Sequence, residues 1–194
     1  MSLVVAIKKD GVIYMGADTR TTTGDQICNS YKNGNSKINR VGSCLVGGAG
    51  LVSNIQALTL HPEWFDTGGK PLSKKFIVQN IIPKYFNAIK RIDRLKVDGS
   101  NGDDPDSGCS ILITDGVGLF MIDSGFSVCE LSRYGQIGCT KDMALAIFIN
   151  EIDNLPAEEL ILKALRTSAY RDDGVGAPYI LINTRDNCFE VVEE

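Results

Sequence analysis

Two short apolar runs and a tight turn open the chain. The first run spans Leu3 to Lys8 and the second spans Val12 to Ala17, and both have the composition of β-strands. The Asp10-Gly11 pair between them is typical of a two-residue hairpin turn. The sequence therefore predicts a β-hairpin that begins almost at the first residue. A polar stretch from Thr19 to Ser36 follows it.

A second apolar run ends in a cluster of glycines. Lys37 and Ile38 lead to the run from Ser43 to Gly48, which is closed by Gly47-Gly48-Ala49-Gly50. Glycines after an apolar run favour a turn, so this segment predicts a strand that turns into a helix from about Leu51 to Leu60.

The next segment has helical periodicity. Between about Ser73 and Leu95, apolar residues recur mostly at steps of three and four, and Pro83 is expected to kink or break the helix. Lys96 to Ser107 is polar and rich in Asp and Gly, which predicts a surface loop; a gate over a site is the less favoured alternative.

Strands, helices and strands complete the chain. The predicted strands are Cys109 to Thr114, Val117 to Asp123, Phe126 to Leu131, Tyr179 to Asn183 and Cys188 to Val192. The predicted helices are about Thr140 to Glu151 and Pro156 to Tyr170. This order is expected of an α+β fold, a four-layer αββα sandwich of two mainly antiparallel sheets flanked by helices, formed by one domain over residues 1–194.

Composition excludes several classes of partner. The chain has 194 residues, 43% of them hydrophobic, and a net charge of -4 with acids and bases mixed. Without a basic block, a nucleic-acid partner is not expected. No apolar run approaches the roughly 20 residues that cross a bilayer, and Lys8, Lys9 and Asp10 interrupt the start, so we expect a cytoplasmic protein with no membrane partner.

Cysteine and histidine do not predict a metal or thiol centre. The six cysteines occur singly, without a Cys-x-x-Cys pair, and are interpreted as small buried hydrophobic residues in a reducing compartment. His61 is the only histidine and lies where a helix ends before Pro62, which favours a structural role. No cofactor and no metal are expected.

The candidate chemistry lies at the start of the chain. Residues 2–25 place the hydroxyl of Ser2 at the start and an Asp-x-Arg, Asp18 to Arg20, just after the hairpin. A free α-amine has a pKa of about 8, so it can take a proton from the hydroxyl of its own residue near neutral pH. Ser2 can be nucleophile and base together once Met1 is removed, because a peptide-bonded nitrogen is not a base. The sequence leaves open whether Met1 is removed or Met1-Ser2-Leu3 replaces a different natural start.

These residues carry a family resemblance. The whole chain resembles a β-type subunit of the proteasome superfamily of N-terminal nucleophile (Ntn) hydrolases, and residues 2–25 resemble the start of the bacterial HslV-type peptidase. The resemblance implies that Ser2 stands where the family has its threonine nucleophile. Serine keeps the hydroxyl beside the amine but lacks the methyl group that restricts χ1 of threonine.

The resemblance also assigns an acidic residue and a lysine. Asp18, in Gly-Ala-Asp-Thr-Arg, matches the acidic position, and Lys37, in Asn-Ser-Lys-Ile-Asn, matches the catalytic lysine. An ammonium lowers the pKa of a neighbouring amine and hydroxyl, and a carboxylate keeps that ammonium charged. Taken alone, the two residues would be a surface turn residue and a solvated lysine.

The resemblance assigns roles in three further segments. The glycine segment resembles the family's oxyanion-binding turn, with Gly50 as first choice of N–H donor and Gly48 as second; a plain packing turn is the alternative. Asp172 matches the segment that supports the nucleophile, whereas Val175 replaces its serine. Cys139 stands where the family usually has a serine, and a thiol is a far weaker hydrogen-bonding group.

Together these residues predict a peptidase. The expected activity is hydrolysis of unfolded polypeptides through an acyl-enzyme on Ser2, by a homo-oligomeric ring or spiral with an ATP-dependent unfoldase as possible partner. Two alternatives stay open: a non-catalytic assembly subunit of the same superfamily, which Cys139 and Val175 favour, and an Ntn amidase that acts on small molecules.

Overall fold

The computed structural model of the protein describes residues 2–23, 26–29, 36–93, 106–186 and 188–193. Within these residues the strands form two five-stranded sheets and a separate hairpin, and all neighbouring strands pair antiparallel. The strands are β1 Leu3–Lys9, β2 Val12–Asp18, β3 Arg20–Thr23, β4 Gln26–Asn29, β5 Ile38–Val41, β6 Cys44–Gly50, β7 Cys109–Thr114, β8 Leu119–Ile122, β9 Val128–Glu130, β10 Tyr134–Gly138, β11 Tyr179–Asn183 and β12 Phe189–Val192.

The two sheets face each other and helices cover their outer faces. The first sheet has the order β10-β1-β2-β11-β12, and the second has the order β5-β6-β7-β8-β9. The helices are α1 Val52–Thr59, α2 Lys74–Phe76, α3 Ile82–Asp93, α4 Lys141–Glu151 and α5 Ala157–Arg171, with a 3-10 turn at Pro62–Phe65. Helices α1 and α3 pack on the second sheet, and α4 and α5 pack on the first. The fold is therefore the expected four-layer αββα sandwich.

Strand β1 shows why the opening run is apolar throughout. Val4 and Ala6 belong to the core between the two sheets, whereas Leu3, Val5 and Ile7 belong to the core beneath α4 and α5. Successive side chains of a strand point to opposite faces, so a strand covered on both faces needs apolar residues at every position. The adjoining turn is confirmed, because Asp10 and Gly11 both have positive φ, 51° and 74°.

Four strands, β3, β4, β5 and β10, were not predicted from the pattern. The polar stretch contains β3, Arg-Thr-Thr-Thr, and β4, Gln-Ile-Cys-Asn, and neither sequence has a long apolar run that would indicate a strand. Strand β10 contains Gly135 and Gly138, and glycine is more typical of turns than of strands. The strand nevertheless pairs with β1.

The glycine segment is a strand rather than a turn, so that expectation was wrong. Strand β6 continues to Gly50, and the glycines make room for close packing. A Cβ on Gly47 would lie 2.7 Å from Val4 in the other sheet, and one on Gly48 would lie 2.7 Å from Ile55 of α1. Only Gly50, with φ 130°, marks the turn towards α1.

The helix is not broken at Pro83. A π-helical segment, Ile77–Ile81, joins α2 to α3, and the Ile82 N–H bonds the Ile77 carbonyl five residues back. Four residues at steps of four, Ile77, Ile81, Tyr85 and Ile89, are buried against the second sheet. The packing of this face holds the helix together through the proline. Leu95 lies outside the described residues.

The predicted loop ends earlier than expected. Residues 96–105 of it lie outside the described part of the chain, but Ser107 is 1% exposed and its N–H donates to the Ser124 carbonyl at 2.8 Å. Ser107 thus belongs to the packed structure. Among the described residues, no helix is both long and apolar enough to span a membrane.

Candidate active site

A buried ion pair joins the two sheets at one end of the sandwich. Asp18 is the last residue of β2 in the first sheet, and Lys37 immediately precedes β5 in the second. Lys37 Nζ donates to Asp18 Oδ1 at 2.7 Å, and the two side chains are 8% and 0% exposed. The alternative of a surface turn residue and a solvated lysine does not apply.

The Asp18 carboxylate is strongly desolvated. Burial raises its pKa above the ordinary value, while the Lys37 ammonium and the backbone amides of Leu3 and Gly176 act in the opposite direction. Oδ1 accepts both from Lys37 and from the Leu3 N–H, at 2.9 Å, whereas Oδ2 is buried without a regular hydrogen bond from any described residue. The same oxygen atom thus links the lysine to the peptide group that joins Ser2 to Leu3.

Burial shifts the pKa of Lys37 in the opposite direction. Burial lowers the pKa of its ammonium below 10.5, and the Asp18 charge opposes this shift. The nearby Arg20 also lowers the pKa of Lys37. Lys37 is therefore a cation that loses its proton more easily than a solvated lysine does.

Ser2 is held against the end of β10. Its carbonyl accepts the Cys139 N–H at 3.0 Å, and Leu3 lies opposite Gly138 in the sheet. Gly138 has φ 116°, and a Cβ there would lie 1.9 Å from the Ser2 carbonyl oxygen. Only glycine permits this approach, so β10 fixes the position of the backbone of Ser2.

A cleft of about 480 Å³ opens beside Ser2. Gly50, Cys139 and Ser2 lie on its wall together with residues of β7, β8 and β10. The structure thus brings Ser2, Gly50 and Cys139 to one cleft, and it ties the Asp18–Lys37 pair to the backbone at Ser2.

The two glycines proposed as N–H donors differ. The Gly48 N–H donates to the Lys37 carbonyl at 2.9 Å, so the second-choice donor is already engaged and that expectation was wrong. Gly50 lies on the cleft wall at the end of β6, two residues before α1 begins at Val52. Gly50 therefore stays the candidate donor.

Cys139 and Asp172 lie side by side. The Cys139 thiol approaches the Ser2 carbonyl at 3.5 Å, and partial burial together with the Asp172 carboxylate raises the pKa of the thiol. Asp172 follows the end of α5 and accepts the Gly174 N–H at 2.8 Å. Val175, which stands where the resemblance places a serine, is buried in the apolar core beneath α4 and α5.

Other predicted residues lie elsewhere. His61 stacks on Trp64 and pairs with Glu63 at 2.8 Å, and it does not line the cleft.

Cys44 and Cys109 are buried, but Cys129, Cys139 and Cys188 are exposed, so the expectation of uniformly buried cysteines was wrong. Met1 lies outside the described residues. In the described ranges, no group of three or more His, Cys, Asp and Glu side chains is arranged to hold a metal ion.

Several contacts near Gly50 were not predicted from the sequence. Asn54 of α1 donates to the Ser107 carbonyl at 2.7 Å, and the Leu51 N–H donates to the Gly108 carbonyl at 3.0 Å. Tyr85 Oη lies 2.9 Å from Cys109 Sγ in the same buried region. No motif in the sequence marks these contacts, because they join segments more than twenty residues apart.

Comparison with solved structures identifies relatives of the fold. The chain has a TM-score of 0.72 and 23% identity with Thiobacillus denitrificans BPH, over 93% of this chain and 96% of that one. The structure of the same protein in complex with epoxomicin has a TM-score of 0.71 and 22% identity, over 99% and 100%. Anbu (ancestral beta-subunit) from Yersinia bercovieri has a TM-score of 0.69 and 18% identity, over 99% and 87%.

These similarities show a proteasome-related fold. The sequence itself matches no protein-family model and no curated protein. The structural relatives do not single out an HslV-type peptidase, so that finer resemblance stays a prediction.

Proposed function

We propose that the protein is an Ntn-type peptidase in which Ser2, with its α-amine freed by removal of Met1, cleaves peptide bonds. The observation that carries the proposal is the buried Asp18–Lys37 pair, whose Oδ1 also accepts the N–H that follows Ser2. A buried pair costs desolvation free energy, and ionisable groups that are held in this way occur often at active sites. The structure of T. denitrificans BPH in complex with epoxomicin gives further support from a protein of the same fold.

The reaction has two steps. The Ser2 α-amine takes the proton of the Ser2 hydroxyl while Oγ attacks the substrate carbonyl carbon, and the Gly50 N–H stabilises the resulting oxyanion. The carbon–nitrogen bond then breaks, the leaving amine takes the proton, and an ester remains on Oγ. Water, deprotonated by the same amine, attacks this ester; the bond between the acyl carbon and Oγ breaks, Oγ takes the proton back from the amine, and the acid is released.

Lys37 and Asp18 tune this chemistry. The Lys37 ammonium lowers the pKa of the α-amine, so that more of it is unprotonated near neutral pH, and it favours the deprotonated oxygen of Ser2. The Asp18 carboxylate keeps that ammonium charged and fixes its direction. Cys139 and Asp172 are proposed to hold the backbone of Ser2 in place.

The proposed substrate is unfolded polypeptide. Ring or spiral assembly into a chamber and cooperation with an ATP-dependent unfoldase are part of the proposal, supported by the relationship in fold to a protein named as a beta-subunit. The proposed location is the cytoplasm.

Peptide hydrolysis by protein with a verified free Ser2 tests the proposal. We expect hydrolysis by the unsubstituted protein and a loss of at least hundredfold in Ser2→Ala and Lys37→Ala. Alanine at position 2 permits the same removal of Met1, so the variants share one N-terminal processing state. Equal rates in all three proteins would overturn the mechanism.

A non-catalytic assembly subunit is the second candidate. It is favoured by the weak hydrogen-bonding thiol of Cys139 and by Val175, which is 1% exposed where a hydroxyl would support the amine. Intact-mass measurement of untagged protein discriminates, because retention of Met1 supports this candidate and its removal supports the peptidase.

A further inference from the structure

Several hydrogen-bond acceptors line the cleft beside Ser2. Strands β7 and β8 and the turns that follow or precede them contribute two carboxylates, Asp106 and Asp123, and two hydroxyls, Ser110 and Ser124. Gln136 of β10 adds a side-chain oxygen, Oε1, that is buried and has no donor among the described residues. A ligand that supplies several N–H donors would satisfy these groups.

The two carboxylates are held in fixed directions. Asp106 Oδ1 accepts the Gly108 N–H at 2.7 Å, and Asp123 Oδ1 accepts the Ser127 N–H at 2.8 Å. The Ser107 N–H donates to the Ser124 carbonyl at 2.8 Å and so ties the two acidic segments together. In the described part of the chain neither carboxylate has a cationic partner within ion-pair distance.

The remaining lining suits a long aliphatic stem. Met121, Ile137 and Ala49 provide apolar surface in the same cleft. Lysine and arginine bury their methylene groups along such surface and keep the charged end among polar groups. Lys141, the first residue of α4, is the one cation among the described residues of the lining, and it is exposed.

We propose that this cleft binds a lysine or arginine side chain of the substrate, close to the bond that Ser2 cleaves. The carboxylates of Asp106 and Asp123 then attract the cationic side chain of the substrate, and the Lys141 ammonium repels it. This inference rests on the proposed peptidase function and adds the substrate class. A substrate with an acidic side chain at the same position would face two carboxylates and would be rejected.

A peptide library tests the inference. Each peptide carries one lysine, glutamine or glutamate at one of the three positions on either side of a single cleavable bond, and kcat/KM is measured for each. At one position we expect lysine to be favoured over glutamine about tenfold, as for a charge-assisted hydrogen bond, and glutamate to be disfavoured. The preference should shrink as salt is added.

Isosteric variants identify the residues responsible. Asp106→Asn and Asp123→Asn each keep the Oδ1 acceptor and should lower the lysine-to-glutamine ratio about three- to fivefold, whereas Lys141→Gln should raise it. Asp142→Asn is the matched control, since Asp142 is exposed, adjacent to Lys141 and absent from the lining. Thermal unfolding of each variant verifies that it is folded.

Two outcomes separate the inference from the function on which it rests. Cleavage of all peptides with equal kcat/KM, or equal ratios in the Asp123→Asn and Asp142→Asn proteins, would overturn the basic-side-chain inference and leave the peptidase intact. Absence of cleavage would instead overturn the peptidase. Binding of the same peptides to Ser2→Ala then tests the cleft by itself, and equal affinity for the lysine and glutamate peptides would overturn the inference there too.

Discussion

Lys37 Nζ lies 2.7 Å from Asp18 Oδ1, and this contact joins the two sheets directly behind Ser2. Both partners are almost fully removed from water, so the attraction between them has to offset a large desolvation cost. A buried pair of this kind adds little net stability, and under the proposed function its role is to set the electrostatic environment of Ser2.

Removal of one partner should harm stability more than removal of both. Lys37→Met leaves the Asp18 carboxylate buried without a cation, and we expect the free energy of unfolding to fall by about 3–5 kcal/mol. The double variant Asp18→Asn/Lys37→Met should recover most of that loss, yet have no peptidase activity. Denaturant unfolding and peptide hydrolysis measure the two quantities.

An exposed lysine serves as the control for this prediction. Lys163 lies 2.6 Å from Glu151, but its side chain is 46% exposed. Lys163→Met should therefore change the free energy of unfolding by less than about 1 kcal/mol. Equal losses for Lys37→Met and Lys163→Met would contradict the buried geometry.

The pH dependence of kcat/KM should reflect the lowered pKa of Lys37. Activity should rise as the α-amine loses its proton, at a pH below the ordinary α-amine value of about 8, and fall again as Lys37 loses its own, at a pH below the ordinary lysine value of 10.5. The Asp18 charge raises the pKa of Lys37, so Asp18→Asn should move the alkaline limb of the profile to lower pH. An unchanged alkaline limb in Asp18→Asn would show that Lys37 is not the titrating group.

Gly50→Ala should abolish most of the activity. A Cβ at this position would lie 2.3 Å from the Gly108 carbonyl oxygen, and the residue has φ 130°, so the N–H on the cleft wall must move. Loss of one oxyanion donor costs about 10²–10³ in kcat. Gly68→Ala is the control, because Gly68 also has positive φ but no atom within 4 Å of the added Cβ. Similar kcat values for the two variants would exclude Gly50 as the donor.

Cys139→Ser should increase the activity several-fold. A hydroxyl is a stronger donor and acceptor than the thiol that now lies between the Ser2 carbonyl and Asp172. Cys129→Ser, an exposed cysteine of β9 away from the cleft, should leave kcat/KM unchanged. If Cys139→Ser lowers kcat/KM, the thiol is not a weaker substitute for serine at this position.

The sequence predicted the layers of the fold well because its apolar runs are long. The opening hairpin and the strand at Cys109–Thr114 are buried on both faces, and continuous apolar residues report that burial directly. Strands β3 and β4 lack that signal. The end of β6 was predicted as a turn because glycine usually interrupts a strand, whereas Gly47 and Gly48 serve close contacts with Val4 and Ile55.

The candidate site was predictable only in part. The family resemblance indicated Asp18 and Lys37, which the fold joins through a carboxylate oxygen that also accepts the Leu3 N–H. The two carboxylates that line the cleft, Asp106 and Asp123, were not predicted. Both lie in turns, where an aspartate ordinarily accepts hydrogen bonds from nearby backbone amides. Their second role depends on the approach of β7, β8 and β10 to Ser2, which no local pattern contains.

Mass spectrometric mapping of the acyl-enzyme tests the central claim most directly. Protein with a free Ser2 is mixed with a peptide ester, quenched with acid during turnover and digested, and the fragment that carries the acyl group is sequenced. The account predicts the acyl group on Ser2 and its absence in Ser2→Ala. An acyl group on Cys139 instead, or undiminished turnover by Ser2→Ala, would contradict it.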